Sequence, residues 1–406
     1  MPKTTKGSKK ESTESPTNIL DLAYKRAATT TDKSFLADKR IAANVEFVCR
    51  CVANRAGVRM LAAALVATIH DRTIDIRKPF KSSAKKSKAG DITVKSVKDS
   101  TIYSGRTYDE QYVGKFMLEH KLPVNSTTAF LTPGYRAKGI TLTRDTVMEG
   151  KPPELYERIV TLLNDVHEEL VSAEDLLAEL MRLLIMLRTE RDQRLASLIA
   201  TLKPSKVSSM LSAEGIMTLI KQHLDSPRSS RLPVLVVAAA YHAAEDYLGE
   251  RALPLQGHNA ADSQTESLGD VEIVLNAENG LVTVYEMKAK QVTIADINIA
   301  LEKLAGKPTI DNYIFITTDR IDEDVTQYAA TIHQKIGVEF VILDCIGFLR
   351  HFLHLFYRLR TKFLEAYQQL VLSEPDSAVN HSLKEAFLSL RLAAEAGAIQ
   401  VVEEEE

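Results

Sequence analysis

Cysteine is scarce in this sequence, and its spacing excludes more than its number. Cys49 and Cys51 are one residue apart, and Cys345 stands alone far downstream. No CxxC pair exists, which excludes a zinc ribbon, a dithiol redox motif and a disulfide framework. Long apolar runs are missing as well. Leu232–Tyr241 and Met60–Ile69 reach about ten residues each, against the roughly 20 needed to cross a bilayer. The lysines near the start are followed by no apolar stretch, so no secretory signal is expected, and the chain reads as cytoplasmic. Charge of one sign is not in excess. Fifty-one Lys and Arg face 54 Asp and Glu, a formal charge of −3, so affinity for phosphate has to come from local patches. No G-x-S-x-G elbow occurs, which argues against an α/β-hydrolase. The ten histidines form no H-x-x-x-H or H-E-x-x-H pair, and zinc is not expected. Ala305–Thr309 resembles the end of a phosphate loop. It lacks the first glycine and follows a helix rather than a strand, so it is not read as one.

What remains is 406 residues, 45% hydrophobic and 26% charged, enough for two or three domains with sizeable cores. Residues 1–17 are rich in Lys, Ser and Thr and read as a disordered tail. Residues 18–230 are mostly helical in pattern, and within them 153–202 spaces its leucines for a pair of packed helices. That run is interrupted twice. Segment 77–98 holds eight Lys and Arg against Asp91 alone, a solvated loop or a phosphate-contacting arm. Segment 101–150, richer in Tyr, Thr, Pro and Gly, reads as irregular.

From 231 to 350 short β-branched strands alternate with helices. Strands are expected at 271–275, 281–288, 313–317 and 338–343, with helices at 233–248, 294–304 and 322–336. Residues 351–406 close the chain with helices and an acidic tail. The fold class is therefore α/β, a sheet domain behind a large helical N-terminal region.

The most informative stretch is Gly269–Lys290. Two β-rich runs flank Asn276–Gly280, whose Asn-Gly pair is a strong turn signal. A five-residue loop centred on Glu278 pairs Leu275 with Leu281, and the same register sets Asp270 opposite Glu286. Opposed residues share a face, with Cβ atoms about 4.5–5.5 Å apart. Period-two alternation adds Lys288 to that face, while Val271, Ile273 and Leu275 line the other. Two facing carboxylates repel unless a cation sits between them. A hard divalent ion such as Mg²⁺ accepts one or two carboxylates and keeps several waters. A neighbouring lysine can then hold or help activate the attacking water. Such a set suits metal-assisted phosphodiester hydrolysis. A Glu-x-Lys triplet is a weak signal by itself, and the chain holds another, Glu119-His120-Lys121, in a helix-like segment. The Glu286 triplet differs in lying on a strand with an aspartate in register.

Asp270, Glu286 and Lys288, in the order helix, strand, strand, helix, strand, helix, strand, resemble the core of the PD-(D/E)XK nuclease superfamily. The chain departs from the motif in having Gly269, not proline, before the aspartate. The resemblance implies a mixed sheet, Mg²⁺ held by Asp270 and Glu286, and a further glutamate on the preceding helix, for which Glu245 is the match. Glu272 shares the face of Asp270 and is an alternative to it. Thr293–Asp296 has a capping-box pattern that starts the next helix. The whole layout, helical half first, is similar to the SacI-type type II restriction endonucleases. That likeness implies double-stranded DNA as substrate, a homodimer, and a cognate methyltransferase protecting the host. Arg106 and Arg136, in a loop-like stretch with Tyr108 and Asn125–Thr128, are the expected DNA contacts. A repair or degradative nuclease of the same superfamily, or a non-catalytic DNA-binding protein, remain as alternatives.

Overall fold

The computed structural model describes residues 15–51, 55–79, 99–125, 141–147, 151–202, 211–255, 267–277, 280–305 and 310–404. The chain falls into two compact units, Met1–Gln193 and Arg194–Glu406. Among the described residues no helix is long and apolar enough to cross a membrane.

The first unit is helical. Its elements are α1 (Pro16–Thr29), α2 (Lys39–Arg50), α3 (Ala56–His70), α4 (Gly105–Tyr108), a π-helical turn (Asp109–Val113), α5 (Gly114–Glu119), α6 (Pro153–His167) and α7 (Ala173–Thr201), the last running on into the second unit. Helix α3 is apolar around its whole circumference, and Ala56 to Ala67 are all buried, which makes it the central rod of this unit. The one charge in that run is Arg59. Its Nε and Nη2 each donate to Asp109 at 2.8 Å, and its Nη1 donates to the Asn125 carbonyl at 2.8 Å. Burial pushes the Asp109 carboxyl above its ordinary pKa, and the guanidinium beside it works in the opposite direction.

Residues 105–119 differ from the irregular stretch expected there. Their sequence is polar and rich in Tyr and Gly, but Val113, Phe116 and Met117 are buried in the core, and packing overrides weak local propensity. Residues 153–201 form two helices, α6 and α7, broken near Glu169, whose φ is +58°.

The second unit is α/β. It comprises α8 (Ala213–Leu224), α9 (Leu232–Leu248), β1 (Glu250–Ala252), β2 (Val271–Leu275), β3 (Leu281–Lys288), α10 (Ile294–Leu304), β4 (Asn312–Thr317), α11 (Glu323–Ala330), α12 (His333–Ile336), β5 (Glu339–Asp344), α13 (Cys345–Leu355), α14 (Arg360–Ser373) and α15 (His381–Glu404). The five strands form one mixed sheet in the order β1-β2-β3-β4-β5. The pairs β1–β2 and β2–β3 are antiparallel, and β3–β4 and β4–β5 are parallel. The parallel pairing needs a crossover, and α10 supplies it between β3 and β4.

Both faces of the sheet are covered. On one, Val271, Ile273, Tyr285 and Ile316 share a core with α8, α9, α13, α14 and α15. On the other, Val284, Tyr313, Phe315 and Phe340 pack with Ile297 and Ala300 of α10 and Val325 and Ala329 of α11. A domain division at 230/231 was expected where the sequence pattern changes. Packing divides the chain at Gln193/Arg194 instead, because Ile216 and Ile220 of α8 and Phe363 and Phe387 after β5 are buried with the sheet residues.

Candidate active site

The expected register of the β2–β3 hairpin holds over most of its length. Val271 pairs with Tyr285, Glu272 with Val284 and Ile273 with Thr283. Toward the turn it slips. Leu281 pairs with Val274 rather than Leu275, with a bulge between Ile273 and Val274. Glu278 and Asn279, at the turn itself, lie outside the described residues.

Asp270 sits just before β2 rather than within it. Its N–H donates to the Tyr285 carbonyl at 2.8 Å, and its Oδ2 accepts from the Met287 N–H at 2.7 Å. The carboxylate thus bonds the peptide that joins Met287 to Glu286. Gly269 makes this approach possible. A Cβ there would lie 2.5 Å from Val284 Cγ1 and 2.7 Å from the Tyr285 carbonyl oxygen. The departure from a proline before the aspartate is therefore imposed by backbone packing: every side chain, proline included, begins with the atom that does not fit.

Glu286 and Lys288 share the face of Val284 and lie toward α10, whose residues Asp296 and Lys303 stand two turns apart on one side of the helix. Each oxygen of Glu286 has its own ammonium partner. Oε1 is 3.2 Å from Lys288 Nζ, and Oε2 is 3.2 Å from Lys303 Nζ. The fully buried Tyr313 of β4 places its hydroxyl 3.0 Å from Glu286 Oε2 and 3.1 Å from the Leu268 carbonyl, so its one proton serves one acceptor at a time. Its ring stacks on Phe340 with centroids 5.1 Å apart. Lys288 also reaches Asp296 Oδ1 at 3.2 Å. Asp296 is held in turn by the expected capping box, accepting from the N–H and hydroxyl of Thr293. The Glu286, Lys288, Asp296 and Lys303 side chains are 15, 29, 24 and 22% exposed.

The electrostatics follow from this packing. Burial raises the pKa of Asp270, and the charge of Glu286 adds to the rise, while the Met287 N–H and the positive charges of Arg231 and Lys303 oppose it. Burial works against the Lys288 ammonium, but Glu286 and Asp296 outweigh it and its pKa is raised. Asp296 is held below the carboxylate range, as its bonds from Thr293 and Lys288 overcome its burial.

The other expected residues are placed differently. Glu272 accepts from Ser267 Oγ at 3.1 Å and the Leu268 N–H at 2.6 Å, so it fixes the approach to β2. Glu245 is half-buried near the end of α9, and among the described residues no three Asp, Glu, His or Cys side chains gather to metal-binding distance. Arg106 is exposed on α4 and donates to Glu110 at 2.7 Å. Tyr108 is 2.7 Å from His70 Nδ1. Arg136, Ser126–Thr128 and the lysines from 81 to 98 lie outside the described residues. Arg77 pairs with Asp75 at 3.0 Å and Lys78 with Asp99 at 3.0 Å. Glu119, of the other triplet, is exposed at the end of α5.

Sequence reading missed Lys303, Tyr313 and the second role of Asp296. Their signal was an acid and a base seven apart on the helix that follows a Glu-x-Lys strand. No protein-family model matches this chain, and no curated protein matches it.

Proposed function

We propose that the protein is a Mg²⁺-dependent DNA endonuclease with a PD-(D/E)XK type of core, acting in the cytoplasm as a homodimer in a restriction system. One observation carries the reading. Asp270, just ahead of β2, is bonded to the peptide adjoining Glu286, and Glu286 shares its face with Lys288. Two carboxylates supply hard oxygen donors, which suits a divalent cation that otherwise keeps water as ligand. When bound, such a cation supplies charge to the phosphate and lowers the pKa of a water molecule.

The chain's own groups do the rest. Asp270 and Glu286 hold the ion. Asp270 is oriented by the Met287 N–H, and Glu286 by Tyr313. Lys288, steadied by Asp296, presents an ammonium to the water and the scissile phosphate. A palindromic target cut on both strands is served by a two-fold dimer with one site per strand. Arg106, exposed on the helical unit, contributes a DNA contact.

A second reading draws on a different observation. Both oxygens of Glu286 are already engaged, as they would be in an ion-pair network of a non-catalytic DNA-binding protein. Unmodified phage DNA incubated with Mg²⁺ separates the two. Discrete fragments support restriction, a smear points to a repair or degradative nuclease, and intact DNA across several substrates and metals supports the non-catalytic reading. A species of one chain's mass in sedimentation, with and without DNA, would exclude the dimer.

A further inference from the structure

Lys288 is held from two elements at once. Its Nζ is 3.2 Å from Glu286 Oε1 on β3 and 3.2 Å from Asp296 Oδ1 in the first turn of α10. The two oxygens of Asp296 have separate tasks. Oδ1 meets the lysine, while Oδ2 accepts from the Thr293 N–H at 2.9 Å and the Thr293 hydroxyl at 2.7 Å. The helix cap and the lysine thus share one carboxylate, and Thr293 sets its orientation. The segment that joins Lys288 to Thr293 is itself pinned. Thr317 of β4, the register partner of Lys288, donates its hydroxyl to the Lys290 carbonyl at 3.2 Å. Val292 is buried in the core that α10 and α11 share with the sheet.

We propose that the capping box of α10 is the positioning device of the site: Thr293 fixes Asp296, and Asp296 holds the Lys288 ammonium in place for the water and the phosphate. The inference rests on the hydrolytic role given to Lys288 above. Glu286 serves the carboxylate pair as well as the lysine, so its charge is shared. Asp296 stands on another element and keeps its charge for Lys288. An ammonium on a flexible four-carbon stem is costly to order at the moment of reaction. A displacement of about 1 Å can cost on the order of a hundredfold in rate, so holding the stem beforehand matters to turnover. A cap with no further task would not need the charge. It uses an acceptor oxygen, which asparagine also has.

Wild type, Asp296→Asn and Asp296→Glu, compared as full chains on unmodified phage DNA in Mg²⁺, separate the two tasks. Asparagine keeps an oxygen for Thr293 and removes the charge from Lys288. Asp296→Asn should unfold close to the wild-type midpoint and keep its KM, while kcat falls about ten- to a hundredfold. Glutamate, a preferred residue at this position of a capping box, restores the charge and should recover most of kcat. NMR order parameters of the Lys288 side chain should drop toward those of the exposed Lys290 in Asp296→Asn and not in Asp296→Glu. Should Asp296→Asn not fold, Thr293→Ala is read the same way, with a smaller loss of kcat. Parental kcat in a folded Asp296→Asn protein overturns the proposal. So does a loss carried by KM alone, or one that Asp296→Glu leaves unrepaired. The two readings fail separately. Cleavage unchanged in Asp296→Asn rejects the positioning role and keeps the nuclease. A Lys288 loosened by Asp296→Asn, with no cleavage by wild type, keeps the positioning and rejects the nuclease.

Discussion

The carboxylate of Asp270 accepts a 2.7 Å hydrogen bond from the N–H of Met287, so the aspartate is tied to the peptide adjoining Glu286. A change that moves the backbone at 269–270 should therefore move the site, and a change at the carboxylate alone should not move the backbone.

Gly269→Ala tests the first half. Its Cβ would meet a main-chain oxygen at 2.7 Å, which no rotamer change relieves. Overpacking of this kind costs about 1–3 kcal/mol, read as a lower midpoint in urea. Cleavage should fall further than stability does, because the displaced segment carries Asp270. An alanine variant with parental stability and activity would contradict the close approach.

The helical unit depends on a buried pair. Arg59 and Asp109 are 4% and 0% exposed, and each is the other's charge partner. Asp109→Ala leaves a guanidinium without its carboxylate and should destabilise the unit by about 3–5 kcal/mol in denaturant unfolding. A double variant replacing both with apolar residues should recover much of that loss.

His223 gives the sheet unit a pH dependence. It is fully buried, its Nδ1 is 3.0 Å from the Tyr367 hydroxyl and its Nε2 is 3.0 Å from the Leu383 carbonyl. Burial lowers its pKa to about 4 from 6.5, with the Leu383 bond opposing. The folded state resists the proton while the unfolded chain accepts it below 6.5. The contribution is thus complete above pH 6.5 and falls away as pH drops toward 4, by roughly 3 kcal/mol. An NMR titration should find this ring neutral at pH 5.5. A midpoint near 6.5 would contradict its burial.

Arg106 is exposed, unlike the buried Arg59 and Arg182, and among the described residues it pairs with Glu110 one turn away. Arg106→Ala should leave folding unchanged and weaken DNA binding, or relax sequence choice by about 1–3 kcal/mol if the side chain reads a base. Binding curves on specific and scrambled duplexes separate these outcomes.

The sheet unit was largely legible because its signals are local. Strands 271–275 and 281–288 and helix 294–304 have the expected bounds, set by β-branched runs, a turn signal and the Thr293–Asp296 box. Other features were hidden, among them β1, which was not expected, and the break that divides 322–336 into α11 and α12. The bulge at Val274 depends on how the turn closes, which pattern does not encode. The arrival of Lys303 and Tyr313 at Glu286 depends on the crossover through α10 and on pairing with β4, both long-range events. In the helical unit, only the segment around Glu119 read as helix-like; the helix over the rest of Gly105–Glu119 is explained by its buried Val113, Phe116 and Met117.

The central claim is that Asp270, Glu286 and Lys288 form a hydrolytic site. The direct measurement is cleavage of unmodified double-stranded DNA in Mg²⁺ by wild type and by Asp270→Ala, Glu286→Ala, Lys288→Ala and Glu119→Ala. Discrete cutting is expected of wild type and Glu119→Ala, and none of the other three. Those three should remain folded and bind DNA, with Mg²⁺ affinity lost for the two carboxylate variants and kept for Lys288→Ala. A soluble Asp270→Ala protein that cuts at the parental rate would contradict it.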